Sequence, residues 1–230
     1  MHDIDNRYQI PEGDSEKEPW HKGPIRFILG LFLVLLIVSM AIPFYGIKTN
    51  PTPAEIPTIK DIFPDGIDGP IGNKALVVQK SDYYSLIQPD DSVVKFAADR
   101  IAVASCSSSS KVCYAKAIFY FVRDNFQYVN DPLSIEYVKT ARQSLMNQGG
   151  DCDDASVLMA SLLQAVGIPT RFVFEPGHVY IHALLPEALK RYKSDGNWVS
   201  LDGTCRYCEF GEISIRSINK EKDIYFEDEE

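Results

Sequence analysis

Cys152 stands in the run GGDCDD, residues 149–154, between two glycines and the start of an apolar helical pattern. A cysteine so placed can be a nucleophile, a metal ligand or half of a disulfide. Asp151 fits a helix N-cap, its carboxylate accepting from backbone N–H groups of the first turn. That puts Cys152 at or near the first helical position, where the partial positive charge of the helix start favours thiolate over thiol. Asp153 and Asp154 oppose ionisation by like-charge repulsion, so strong activation needs a second positive partner, most naturally an imidazolium. His178 and His182 lie four apart on one predicted strand and share a face. Asp202, in WVSLDGT, sits among residues that read as buried sheet; a carboxylate there needs a partner and can orient one of those rings.

Each of these residues also has an ordinary reading. A cysteine near a helix start is most often a small buried hydrophobe, His178 alone a strand histidine, Asp202 alone a turn carboxylate. Asp153 and Asp154 read as water-exposed acids of the first turn. Phe119, Tyr120, Phe121 and Phe126 read as core packing. A metal site is a second class of reading, since Asp151, Asp153, Asp154, His178 and His182 offer oxygen and imidazole donors. Cys205-x-x-Cys208 with Cys106 and Cys113 could bind zinc, although the gap in the first pair is unusual. A non-catalytic module presenting a peptide-binding groove is a third.

The elements that must position these residues follow from period and punctuation. Residues 91–105 carry apolar residues at helical spacing, with Asp91 or Ser92 as cap. The serine loop breaks that helix, and Ala115, Ile118, Phe119, Val122 and Phe126 mark one face of the next. Thr140 caps a short helix to Gln148. Ala155, Leu158, Met159, Leu162 and Val166 recur at three- and four-residue steps, and Gly167 with Pro169 stops that helix. Then the period changes: TRFVFE, HVYIHALL and NWVSLDGT read as antiparallel strands. Helices first and strands later indicate an α+β domain.

The 230 residues carry a formal charge of −9, which gives little support to a nucleic-acid surface. From Ile25 to Tyr45 the chain is apolar for about twenty residues, enough for a helix to cross about 30 Å of hydrocarbon. The 25–45 segment reads as a transmembrane helix rather than a cleaved signal, because the segment before it is long and partly acidic. Lys17, Lys22 and Arg26 precede it and only Lys48 closely follows, so the positive-inside rule leaves residues 1–24 as a disordered cytoplasmic tail and the rest outside the cell membrane. Residues 46–75, with prolines at 51, 53, 57, 64 and 70, read as a stalk. The domain is then expected over 76–215, with an acidic tail over 216–230. Five cysteines in an oxidising exterior suggest two pairs and one odd thiol, Cys152. Local pairing, Cys106 with Cys113 and Cys205 with Cys208, is favoured, although four cysteines allow three connectivities.

The order GDC, GHVY, WVSLDGT resembles the transglutaminase-like superfamily, a branch of the papain-like cysteine-nucleophile fold, over residues 90 to 210. The resemblance is to membrane-anchored prokaryotic, archaeal-type members. It implies helices packed on an antiparallel sheet and a triad of Cys152, His178 and Asp202. His178 is preferred over His182 because Tyr180 holds the aromatic place two residues on and Pro186 ends the strand at the expected distance; His182 falls where the family often has an acid. Gly203 departs from the usual proline, and the Cys205–Cys208 run follows at once. The implied chemistry, attack of Cys152 on an amide carbonyl of a peptide or protein with a thioester intermediate, requires no cofactor and no metal.

Overall fold

The computed structural model describes residues 24–68, 80, 82–130 and 137–225. Two compact units divide the chain after Gly46. In the first, helix α1 spans Pro24–Thr49. Its stretch Ile25–Ile42 is long and apolar enough to cross a membrane, and none of that stretch is buried in protein. The expected cytoplasmic tail, apart from Pro24, lies outside the described residues.

The second unit begins sooner than its composition suggests. Part of the expected stalk lies on the domain: Ile59 and Ile62 of the short helix α2 (Ile59–Ile62) are buried in the core. Thr58 caps this turn in a capping box with Asp61. Asn125 accepts from Ile59 N at 3.2 Å and donates to Pro57 O at 3.3 Å. The buried amine of Lys116 donates to Asn50 Oδ1 at 2.7 Å and Pro51 O at 3.0 Å. Prolines keep such a segment extended, but two isoleucines on one turn bind it to apolar surface. Residues 69–75 of that expected stalk fall outside the described residues.

After the short helix α3 (Asp82–Ser85) come α4 (Ser92–Ser105) and α5 (Lys111–Asn125). Asp91 caps α4, accepting from Val93 N at 2.9 Å and Val94 N at 3.2 Å. The serine loop between the two helices is closed by a Cys106–Cys113 disulfide. Strand β1 (Gln127–Tyr128) runs parallel to β2 (Gly149–Gly150), with Tyr128 opposite Gly150. Between them α6 (Ala141–Asn147) starts at Thr140 in a capping box with Gln143. Helix α7 (Cys152–Ala165) is the central helix, almost every residue after Cys152 being buried.

The five-stranded antiparallel sheet is built from β3 (Thr170–Glu175), β4 (His178–Leu184), β5 (Lys193–Asp195), β6 (Trp198–Leu201) and β7 (Asp223–Tyr225), in the order β5-β6-β4-β3-β7. Alternation along the strands sorts its two faces. Phe172, Val179, Ile181, Ala183, Val199 and Leu201 join the helices in one apolar core. The alternate positions form the second face, on which Arg171 stands opposite His182, Glu175 opposite His178, and Ser200 beside His182. Strand β7 comes from the expected acidic tail; Asp223, Ile224 and Tyr225 pair with Phe174, Val173 and Phe172 and cover the β3 edge. Residues 226–230 lie outside the described residues.

Candidate active site

The cysteine is held by the start of α7. Asp151 Oδ1 accepts from Asp153 N at 3.2 Å and Asp154 N at 3.4 Å, and Asp154 reaches back to Asp151 N at 3.4 Å. Cys152 is therefore the first helical residue, half-buried, and the one free cysteine. Its sulfur stands 3.8 Å from Asp153 Oδ1. The other four cysteines are disulfides, Cys106–Cys113 and Cys205–Cys208.

Asp154 departs from its expected role. It is fully buried, and Asp153 is nearly so, where both were expected to face water. Asp154 accepts from Lys139 N at 2.6 Å and forms an ion pair with the Lys139 amine. It also fills the space above Gly150, where an added Cβ would meet its Oδ2 at 2.0 Å. The side chain thus fastens the 137–140 segment and the Gly-Gly turn to the N-terminus of α7. Nothing within GGDCDD announces this, because the partner lies fifteen positions earlier in the chain.

His178, at the start of β4, and Asp202, one residue beyond β6, meet with Nε2 and Oδ2 2.9 Å apart. Asp202 is buried, and its second oxygen accepts from Thr204 N at 3.1 Å, Thr204 Oγ1 at 2.7 Å and Cys205 N at 3.2 Å. Burial would raise this carboxyl, but the His178 and Thr204 contacts prevail and hold it below the ordinary range. For His178, burial opposes protonation, yet hydrogen bonding to Asp202 and to Cys152 and the charges of both raise it to about 10. Two partners that are negative when ionised, at one ring, make imidazolium the state at neutral pH. Gly203 lies under Met159 and Val122, where a Cβ would meet Met159 Cε at 2.5 Å. The close packing there suits the residue that replaces the family's proline.

His182 serves elsewhere. Its Nδ1 accepts from Arg171 Nε at 3.1 Å, and Arg171 also pairs with Asp195 at 2.7 Å and lies 4.4 Å over the Trp198 ring. Burial, with the Arg171 charge, lowers His182 to about 4, so it is a neutral acceptor. Tyr128 was not singled out as a site residue, but its pairing with Gly150 brings it beside Cys152. Burial first, then the charges of Cys152, Asp151, Asp153 and Asp202, raise its hydroxyl above the ordinary value. Among the described residues no three His, Cys, Asp or Glu side chains gather as a metal-binding group. Of the proposed donors, Asp154 is taken by Lys139 and His182 by Arg171.

Helices packed on a curled antiparallel sheet, with a cysteine opening the central helix, define a transglutaminase-like fold. Residues 98–203 match the family model of the transglutaminase-like superfamily, and the domain they form is transglutaminase-like. Among solved structures, a proposed cysteine protease of Cytophaga hutchinsonii is similar at 21% identity and a TM-score of 0.37, over 55% of this chain and 43% of that one. Calcium-bound LapG of Legionella pneumophila is similar at 16% identity and a TM-score of 0.40, over 63% of this chain and 82% of that one. The chain thus spans less than half the length of the Cytophaga protein. No curated protein matches.

Proposed function

We propose that the protein is a membrane-anchored cysteine enzyme acting on amide bonds of peptides or proteins, with Cys152, His178 and Asp202 as its triad. The observation that carries this reading is the environment of one ring: His178 is bound to Asp202 at 2.9 Å and raised to about 10 with Cys152 as a second hydrogen-bond partner. An imidazolium beside a helix-start cysteine is the pairing that Cys–His nucleophilic catalysis uses.

The Cys152 thiolate adds to the amide carbonyl carbon and forms a C–S bond while the carbonyl π pair moves to oxygen. The Cys152 N–H, which the Asp151 cap leaves unused, donates to that oxyanion, and Tyr128 lines the same cleft as His178 and Asp202. Collapse breaks the C–N bond, and the His178 proton leaves with the amine. Neutral His178 then takes a proton from water, or from an acceptor amine, as it attacks the thioester and restores the Cys152 thiolate. Asp202 keeps Nε2 engaged throughout, which leaves Nδ1 for the sulfur and the leaving group.

Helix α1 is the membrane span in this reading, and the basic residues before it place the domain outside. Two disulfides accord with that compartment. The test is alkylation of the detergent-solubilised chain with iodoacetamide at pH 7, followed by peptide mass mapping, alongside turnover of a peptide library. Cys152 should label fast and alone, labelling should slow at least tenfold in His178→Ala, and turnover should vanish in Cys152→Ala. Equal turnover by Cys152→Ala removes the reading.

A further inference from the structure

A cleft of ≈ 400 Å³ opens beside the His178–Asp202 pair, and its lining includes Glu175, Arg216, Ser217 and Lys220. Its charges cancel in pairs with one exception. Asp202 is matched by His178 at 2.9 Å. Glu175 Oε1 accepts from Ser217 Oγ at 2.6 Å and Lys220 Nζ at 3.1 Å, so Lys220 already has its carboxylate. Lys220 is committed further by a bond to Pro176 O at 3.0 Å. Only the backbone of Arg216 is engaged, its N–H donating to Ser214 Oγ at 3.4 Å. Its guanidinium has no hydrogen-bond or ion-pair partner among the described residues.

We infer that Arg216 is a specificity determinant that binds a carboxylate of the substrate in the cleft next to the reacting amide. This rests on the enzyme reading above for what happens after binding, though not for the binding itself. A guanidinium offers a planar fork that matches a carboxylate through two parallel N–H···O bonds, which a neutral peptide segment cannot reproduce. The short turn Ile215–Ser217 that carries it is fastened from below by the Ser217–Glu175 bond. The residues on either side of the turn's arginine are uneven in character: Ile215 is exposed and Ser217 buried, so the cation stands between an apolar rim and an anchored floor. At a net charge of −9 the molecule repels acidic peptides at a distance, and a local unpaired cation is what lets the cleft prefer them at contact. The carboxylate can be an acidic side chain or a chain terminus.

The experiment uses the full chain in detergent and matched fluorescent peptides carrying Glu, Gln or Lys at one position near a central glutamine amide, each with a free or an amidated C-terminus. Binding is read by anisotropy on Cys152→Ala, and turnover on the wild type. The Glu peptide should bind Cys152→Ala about 5- to 30-fold more tightly than the Gln peptide in at least one register, a range set by a partly exposed charge pair. That ratio should fall to near one when Arg216→Gln is added and favour Lys when Arg216→Glu is added. A Glu preference that survives amidation assigns the side chain, and tighter binding of every free-terminus peptide than of its amidated counterpart, lost in Arg216→Gln, assigns the terminus. Equal binding of all three peptides in every register with no difference between free and amidated termini, a preference unchanged by Arg216→Gln, or no binding at all overturns the inference. Tight, Arg216-dependent binding with no turnover by the wild type upholds it and overturns the enzyme reading instead. Arg216 is exposed, so the melting temperature should stay unchanged in both variants and separate recognition from folding.

Discussion

The two ends of strand β4 carry the same side chain on the same face and treat it in opposite ways. His178 is raised to about 10 and His182 lowered to about 4, from a common ordinary value of 6.5. Both are buried enough for desolvation to favour the neutral ring. The difference lies in the neighbour: a carboxylate and a sulfur at one end, an arginine at the other. Strand periodicity brings two imidazoles to one face, but cross-strand register decides what each can do. Arg171 opposite His182 makes an acceptor. Asp202 just past β6 makes a cation.

The largest test of this contrast is catalytic. Cys152→Ala and His178→Ala should each lower kcat/KM by about 10³-fold or more, and Asp202→Asn by about 10²- to 10⁴-fold, because residues acting as a unit fail together. His182→Gln, with its amide oxygen in the acceptor's place, should stay within a few-fold of the wild type. If His182→Gln is the dead variant in a peptide turnover assay, the roles of the two ends are reversed.

Next in size is stability at the arginine end. Arg171→Met leaves the His182 acceptor buried and unpaired and removes a guanidinium stacked on Trp198, which should destabilise the fold by about 1–3 kcal/mol in urea melts. Activity per folded molecule should be nearly unaffected. An equal loss of activity would show that the two ends are coupled along the strand.

The pH dependence sharpens the contrast further, with opposite signs. The unfolded chain binds a proton near 6.5 that folded His182 does not accept until about 4, so the stability it contributes is present above 6.5 and lost as pH falls toward 4. This can amount to about 3 kcal/mol. His182→Gln should flatten that acid limb. For His178 the folded ring holds its proton longer, so its contribution is fully present below 6.5 and lost as pH rises through about 10. On this side the melting temperature should decline above neutral pH in the wild type, a decline that disappears in His178→Gln, while kcat/KM in the wild type falls as the imidazolium is lost.

Much of this was legible in local pattern. Asp151 as cap, Cys152 at the first helical position, the strand TRFVFE, the strand HVYIHALL but for its last leucine, and the capping of α4 and α6 all depend on neighbours within a few residues, and the structure places them as expected. The resemblance singled out His178 for Asp202, and they do meet. What stayed hidden depends on distant partners. Asp154 reads as an exposed first-turn acid until Lys139 is brought to it. Residues 50–62 read as stalk because proline content is local, whereas the Lys116 and Asn125 contacts that bind them are over sixty positions away. A three-residue strand at 223–225 is too short to show a period, and only the edge of β3 makes it one. The cross-strand partner of His182 could have been read from register once the β3–β4 hairpin was aligned, since Arg171 and His182 are a direct pair.

Gly150 carries a consequence of its own. Where the carboxylate of Asp154 occupies the place a side chain would need, even alanine must dislodge the buried ion pair that seats the helix bearing Cys152. In a saturation library this codon should therefore return no functional replacement, giving a blank column two positions ahead of the cysteine. A lesion there would silence the protein without altering any group that touches substrate.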